Sequence, residues 1–158
     1  MRHSRRRRTL LKSGGAGALW AALAAAGWLR SAGAAAESWN KDAFETHALA
    51  DARKALGAEA AQNGDVAFVQ TPEIAENGAV VPIGIASRIP GTDSIAILIE
   101  KNPNPLAAIF DIPQGTEASI NLRVKMAQTS NVYALVRAEG RYYVTSKEIK
   151  VTLGGCGG

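Results

Sequence analysis

From Ala67 onward the apolar residues come in short runs rich in Val, Ile, Phe and Tyr, and no helical period runs through them. The runs predict seven strands, at residues 67–71, 80–86, 94–100, 106–112, 118–126, 132–138 and 142–153. Between them stand Asn77-Gly78, Pro90-Gly91-Thr92-Asp93, Asn102-Pro103-Asn104-Pro105, Pro113-Gln114-Gly115 and Glu139-Gly140, which favour turns because of their backbone preferences. In the fifth run Ile120, Leu122, Val124 and Met126 alternate with Asn121, Arg123 and Lys125, so one face is buried and the other wet. Ile149, Val151 and Leu153 alternate with Lys150 and Thr152 in the same way. Ile95-Ala96-Ile97-Leu98-Ile99 is apolar on both faces. That pattern fits either a central strand under a helix or a strand covered by another protein, and the sequence leaves both open.

Ahead of the strands, Phe44, Ala48, Ala52, Ala55 and Leu56 recur at three- and four-residue spacing and predict one helix, capped by Asn40 and stopped by Gly57. Asp42 and Glu45 near its start, with Arg53 and Lys54 near its end, suit the helix dipole. The predicted fold is mainly β: a sandwich of short strands with an N-terminal helix packed on it as a cover.

Residues 1–36 are expected to be no part of that fold. Arg5 to Arg8 and Lys12 lead into an Ala, Gly, Leu and Trp run from Gly14 to Leu29, and Ala34-Ala35-Ala36 supplies a small-residue cleavage site. Arg7-Arg8-Thr9-Leu10-Leu11-Lys12 resembles a twin-arginine export signal, with Arg7 and Arg8 as the pair a receptor would read. The apolar run is shorter than the roughly 20 residues that span a bilayer, which argues against a membrane anchor. The expected location is the periplasm.

Setting the leader aside reverses the charge. The whole chain carries 18 basic and 14 acidic residues, a net +4, but seven of the basic ones lie in the leader and none of the acidic ones do. The mature chain, beginning near Glu37, keeps 11 basic against 14 acidic residues and is net −3. No basic patch remains for a polyanion, so nucleic acid is not an expected partner. Its 122 residues suit one domain, at 37–153, followed by a tail at 154–158.

The candidate chemistry lies in that tail. Cys156 is the only cysteine, so no intramolecular disulfide can form. Gly154 and Gly155 precede it and Gly157 and Gly158 follow it. Glycine pairs on both sides give the backbone wide freedom and leave little bulk beside the sulfur, so such an arm can enter a narrow pocket. A fully extended chain covers about 3.3 to 3.6 Å per residue, so Cys156 reaches roughly 10 Å beyond Leu153. Enzymes must therefore come to the arm. A thiolate can attack or couple with a sulfur electrophile and hold it as a persulfide-type adduct. The nearest basic side chain in sequence, Lys150, is six residues away, so any activation must come from a partner's active site. Cys156 and one His47, expected on the helix, are too few for a soft-metal site, and neither a hydrolytic triad nor a phosphate loop is present. The expectation is a carrier that is acted upon, without metal or cofactor, and not an enzyme.

The tail Val151-Thr152-Leu153-Gly154-Gly155-Cys156-Gly157-Gly158 resembles that of the SoxY family, the carrier subunits of bacterial thiosulfate oxidation. Residues 75–82 (Ala-Glu-Asn-Gly-Ala-Val-Val-Pro), Glu100-Lys101-Asn102-Pro103 and Lys125-Met126-Ala127-Gln128-Thr129-Ser130 are also similar to segments of that family, as is the leader. The resemblance implies an immunoglobulin-like β-sandwich in a stable heterodimer with a second small β protein, SoxZ, whose surface could account for the two-sided apolar strand. It implies that a c-type cytochrome complex couples thiosulfate to Cys156 and that a thiohydrolase releases sulfate. Where a sulfur dehydrogenase is present, it oxidises the remaining sulfur.

Three other readings are weaker. A thiocarboxylate on Gly158, as in ubiquitin-like carriers, conflicts with the export signal and the strand count. A periplasmic adhesion or assembly module would use Cys156 only to crosslink chains. A thiol oxidoreductase would normally carry a resolving cysteine.

Overall fold

The computed structural model describes residues 40–153. The chain opens with α1 (Lys41–Phe44), where Asn40 Oδ1 accepts a hydrogen bond from the Ala43 amide at 3.1 Å, as an N-cap should. A second helix, α2 (Leu49–Ala55), follows. The single helix expected from the apolar spacing is therefore two, and polar side chains account for the break. Thr46 Oγ1 donates to the Ala43 carbonyl at 2.8 Å, and Asn104 Nδ2 donates to Phe44 O at 3.1 Å and to Thr46 O at 3.4 Å. Carbonyls that would have continued the helical ladder are thus bonded elsewhere. Gly57 ends α2 as expected. It sits at φ +72°, its amide donates to Lys54 O at 2.9 Å, and the Ala58 amide donates to Arg53 O at 2.8 Å, the paired bonds of a Schellman stop.

The strands are β1 (Gln62–Asn63), β2 (Val66–Val69), β3 (Ile74–Ala75), β4 (Val81–Ser87), β5 (Thr92–Ile99), β6 (Leu106–Asp111), β7 (Ser119–Val124), β8 (Ser130–Ala138) and β9 (Arg141–Val151). All seven expected strands are present, with ends displaced by at most two residues. The two-residue strands β1 and β3 were not expected, being too short to show any alternation. Both pair parallel with β9.

The smaller sheet runs β2-β4-β7 and the larger runs β1-β9-β8-β5-β6, with β3 also on β9. The chain crosses between sheets after each of β1 to β4, after β6 and again after β7, and the result is an immunoglobulin-like sandwich. Glu139 (φ 50°) and Gly140 (φ 72°) make the tight β8–β9 turn, both in the left-handed region such a hairpin requires.

The alternation along β5 sorts its side chains into two cores. Ile95, Ile97 and Ile99 pack between the sheets with Ile83, Ile85, Val132, Val136 and Ile149. Ala96 and Leu98 face the other way and pack with Ala43, Ala52, Ala58, Leu106 and Leu135 beneath the helices. Of the two readings of the apolar strand, the central strand under helical cover is the observed one, and a partner subunit is not needed to explain it. Small alanines on the helices let the backbone lie close to the sheet.

Candidate functional site

Cys156, its flanking glycines Gly154, Gly155, Gly157 and Gly158, and the leader pair Arg7 and Arg8 lie outside the described residues. What the fold does define is the base from which the arm departs. The last residues of β9 are held on both flanks. Lys150 N donates to Glu73 O at 2.9 Å and Thr152 N to Ala75 O at 3.1 Å, continuing the parallel pairing with β3, and Thr152 Oγ1 donates to Glu76 O at 2.9 Å. On the other flank Val151 N donates to Thr129 Oγ1 at 3.0 Å. Finally Gly78 N donates to Leu153 O at 2.7 Å, so backbone bonding continues to the residue directly before the glycines.

The holding loops are themselves tied together. Met126 N donates to Gly78 O at 2.7 Å, and Asn77 Oδ1 accepts from Ala79 N at 2.8 Å, shaping the turn that presents Gly78. Asn102 bridges two loops, donating from Nδ2 to Lys125 O at 2.8 Å and accepting at Oδ1 from Ala127 N at 3.0 Å. Lys101 N donates to Ser130 Oγ at 3.0 Å. The family-like segments 75–82, 100–103 and 125–130 are far apart in sequence, yet they meet at one end of the sandwich, around the end of β9. Sequence reasoning quoted these segments but assigned no role to Thr129, Asn102, Thr152 or Glu73. Their work is done by side-chain oxygens and backbone groups that leave no periodic signal. Leu153, expected on the buried face by alternation, is exposed, because it lies past the end of the strand.

His47 is not a helix residue but sits between α1 and α2, where Nδ1 donates to Pro103 O at 3.0 Å. No group of three or more metal-ligating side chains occurs among the described residues. A cavity of about 570 Å³ is lined by Arg88, Asp93, Pro113 and Thr116, among others, from the β4–β5 and β6–β7 loops. It lies at the opposite end of the sandwich, a strand length of about 20 Å or more from Leu153, beyond the roughly 10 Å an arm to Cys156 can span. At that far end the Arg137 guanidinium is held above its usual range by the 2.6 Å hydrogen bond from its Nε to Asp93 Oδ1, well away from any arm chemistry.

The described residues define a helix-covered sandwich whose final strand is fastened up to Leu153, and its relatives place it in the class of carrier proteins. The description of the sulfur oxidation protein SoxY matches residues 52–156, from within α2 to Cys156 itself. This chain belongs to the SoxY family, whose members carry sulfur and are not enzymes. The solved structure of the sulfur carrier protein SoxY from Chlorobium limicola f thiosulfatophilum is 37% identical, with a TM-score of 0.61 over 72% of this chain and 100% of that one. A chain from a structure on T cell specificity and activation by the bacterial superantigen toxic shock syndrome toxin-1 (14% identical, TM-score 0.40, 54% of this chain and 98% of that one) is too distant to carry an argument. So is the endo-beta-1,4-mannanase of Thermotoga petrophila (10%, TM-score 0.42, 65% and 23%). No curated protein matches the chain.

Proposed function

We propose that the chain is an exported carrier of thiosulfate-derived sulfur, bound covalently through Cys156 and presented to a succession of enzymes. One observation carries the reading: the family match runs to Cys156, three residues beyond Leu153, whose carbonyl is held by the Gly78 amide.

The chemistry balances with Cys156 as substrate. Its thiolate couples with thiosulfate to give Cys–S–S–SO₃⁻, and the two electrons released pass to a c-type cytochrome complex. A thiohydrolase then adds water across the terminal bond, releasing sulfate and two protons and leaving the persulfide Cys–S–S⁻. Where a sulfur dehydrogenase is present, it oxidises that outer sulfur with three waters, giving Cys–S–SO₃⁻, six protons and six electrons. A second hydrolysis frees the thiolate. In this scheme the chain supplies no acid, base or metal.

The same reading includes export through Arg7-Arg8 to the periplasm and a heterodimer with a SoxZ-like subunit. No helix among the described residues is long and apolar enough to cross a membrane. Because the helices already cover the outer face of β5, the subunit is expected to bind another surface.

The test is thiosulfate-dependent reduction of cytochrome c in a mixture of the purified chain and its partner proteins. Wild type supports electron flow and Cys156→Ser supports none. Equal rates from the two would overturn the proposal.

A further inference from the structure

The turn that receives the end of β9, Asn77-Gly78, is also a reactive pair. An asparagine followed by glycine can close into a ring: the glycine backbone nitrogen attacks the side-chain amide carbon, and glycine, having no Cβ, hinders that closure least. The fold treats the two reacting groups in opposite ways. Asn77 is exposed, and its Oδ1 accepts the Ala79 amide at 2.8 Å. Negative charge gathers on that oxygen as Cγ is attacked, so the bond readies the electrophile. Gly78, the nucleophile, is buried and both its backbone groups are engaged. Its N–H donates to Leu153 O at 2.7 Å, and its carbonyl accepts from Met126 N at 2.7 Å. A nitrogen whose proton is held by a carbonyl at that distance neither gives the proton up readily nor turns toward Cγ.

We propose that Asn77 is a latent deamidation site, kept unreacted by the end of β9 and released when the Leu153 carbonyl lets go of Gly78; the proposal is independent of what Cys156 carries. On release, the Gly78 nitrogen gives its proton to water or hydroxide and bonds to Asn77 Cγ, the Cγ–Nδ2 bond breaks, and Nδ2 leaves as ammonia. Water then opens the cyclic imide at either carbonyl, leaving aspartate or isoaspartate. Overall one water is consumed and one ammonia released, with no change of oxidation state. Isoaspartate adds a carbon to the main chain ahead of Gly78, so the bonds to Leu153 and Met126 cannot both re-form in register. Release of the strand end is thereby made permanent.

Two threonines fasten this end. Thr152 Oγ1 donates to Glu76 O at 2.9 Å, and Thr129 Oγ1 accepts from Val151 N at 3.0 Å, so their loss frays the strand end locally. The chain also carries its own standard. Asn63-Gly64 is the same dipeptide, with Asn63 paired to Val144 of β9, about 25 Å or more along the strand from Leu153.

The test incubates the whole mature chain at mildly alkaline pH and follows aspartate and isoaspartate at residues 77 and 63 by peptide mapping, with hydrogen exchange at the Gly78 amide measured in parallel. Wild type is compared with wild type in urea and with Thr129→Val combined with Thr152→Val. In urea the two asparagines convert within about threefold of one another. In the native chain Asn77 converts about tenfold or more slowly than in urea. In the double variant, conversion of Asn77 and exchange at Gly78 rise together by about threefold or more, while Asn63 is unchanged. If the double variant is poorly folded by its urea midpoint, Thr152→Val alone, at an exposed position, makes the same comparison. A native rate at Asn77 equal to that in urea overturns the proposal. So does faster Gly78 exchange without faster conversion, or unmoved Gly78 exchange in a folded variant. An equal rise at Asn63 and Asn77 overturns it too, since that is global unfolding and not release of the strand end.

Discussion

The helical layer makes a quantitative prediction at Leu98. Its side chain is fully buried on the outer face of β5, against Ala43, Ala52, Ala58, Leu106 and Leu135. Truncation to Ala removes the transfer energy of the lost methyl groups and leaves a cavity that alanine neighbours, having no side-chain freedom, cannot fill. The loss is then about 3 to 4 kcal/mol, in the middle of the range for buried leucines. Against a total stability of about 5 to 15 kcal/mol, that is a large fraction. Urea unfolding of the mature chain without any partner, followed by circular dichroism, measures it. With m of about 2 kcal/mol/M, the midpoint falls by roughly 1.5 to 2 M. If the outer face of β5 were completed by another protein, the isolated chain would lose less than about 1 kcal/mol and the defect would emerge only in the complex. That outcome would refute the assignment of this core to the chain's own helices.

Other predictions concern the arm's base and the smaller sheet. Thr129→Val keeps the shape but leaves the Val151 amide without its acceptor, costing about 1 to 2 kcal/mol in urea unfolding and speeding hydrogen exchange at Val151; unaltered exchange would contradict the clamp. Gly84→Ala would set a methyl group against the Val69 carbonyl and the Asn121 side chain, so about 1 to 3 kcal/mol or more is lost, and a midpoint equal to wild type would show that β2 and β4 pack more loosely than described. Deleting Gly157 and Gly158 leaves the unfolding midpoint unchanged, since the described bonds of the clamp involve neither residue, but slows enzymatic sulfur transfer; transfer at the wild-type rate would remove those glycines from the account.

Where one periodicity governed a segment, the fold was legible in advance. The alternation of Ile120, Leu122, Val124 and Met126 fixed which face of β7 is inward, and Glu139-Gly140 marked a hairpin that needs two left-handed residues. The pattern misled where side chains compete with the backbone. The Phe44 to Leu56 stripe continues through a helix that Thr46 and Asn104 interrupt, and nothing in the spacing registers a carbonyl taken by an asparagine some 60 residues away. It was silent where an element is two residues long, as in β3, although β3 fastens the end of β9. Cys156, which lies outside the described residues, was singled out in the sequence because it is unique and flanked by glycines. Its supporting residues were not, because Thr129, Asn102 and Gly78 act through single hydrogen bonds that only the assembled loops create.

The most direct test of sulfur carriage is the intact mass of the mature chain after incubation with thiosulfate and the coupling cytochrome complex, with fragmentation to locate the added mass. The account predicts one adduct, on Cys156, dependent on thiosulfate and absent from Cys156→Ser. An adduct on the Gly158 carboxylate, or a crosslinked dimer that forms without thiosulfate while Cys156 takes up no sulfur, would contradict it.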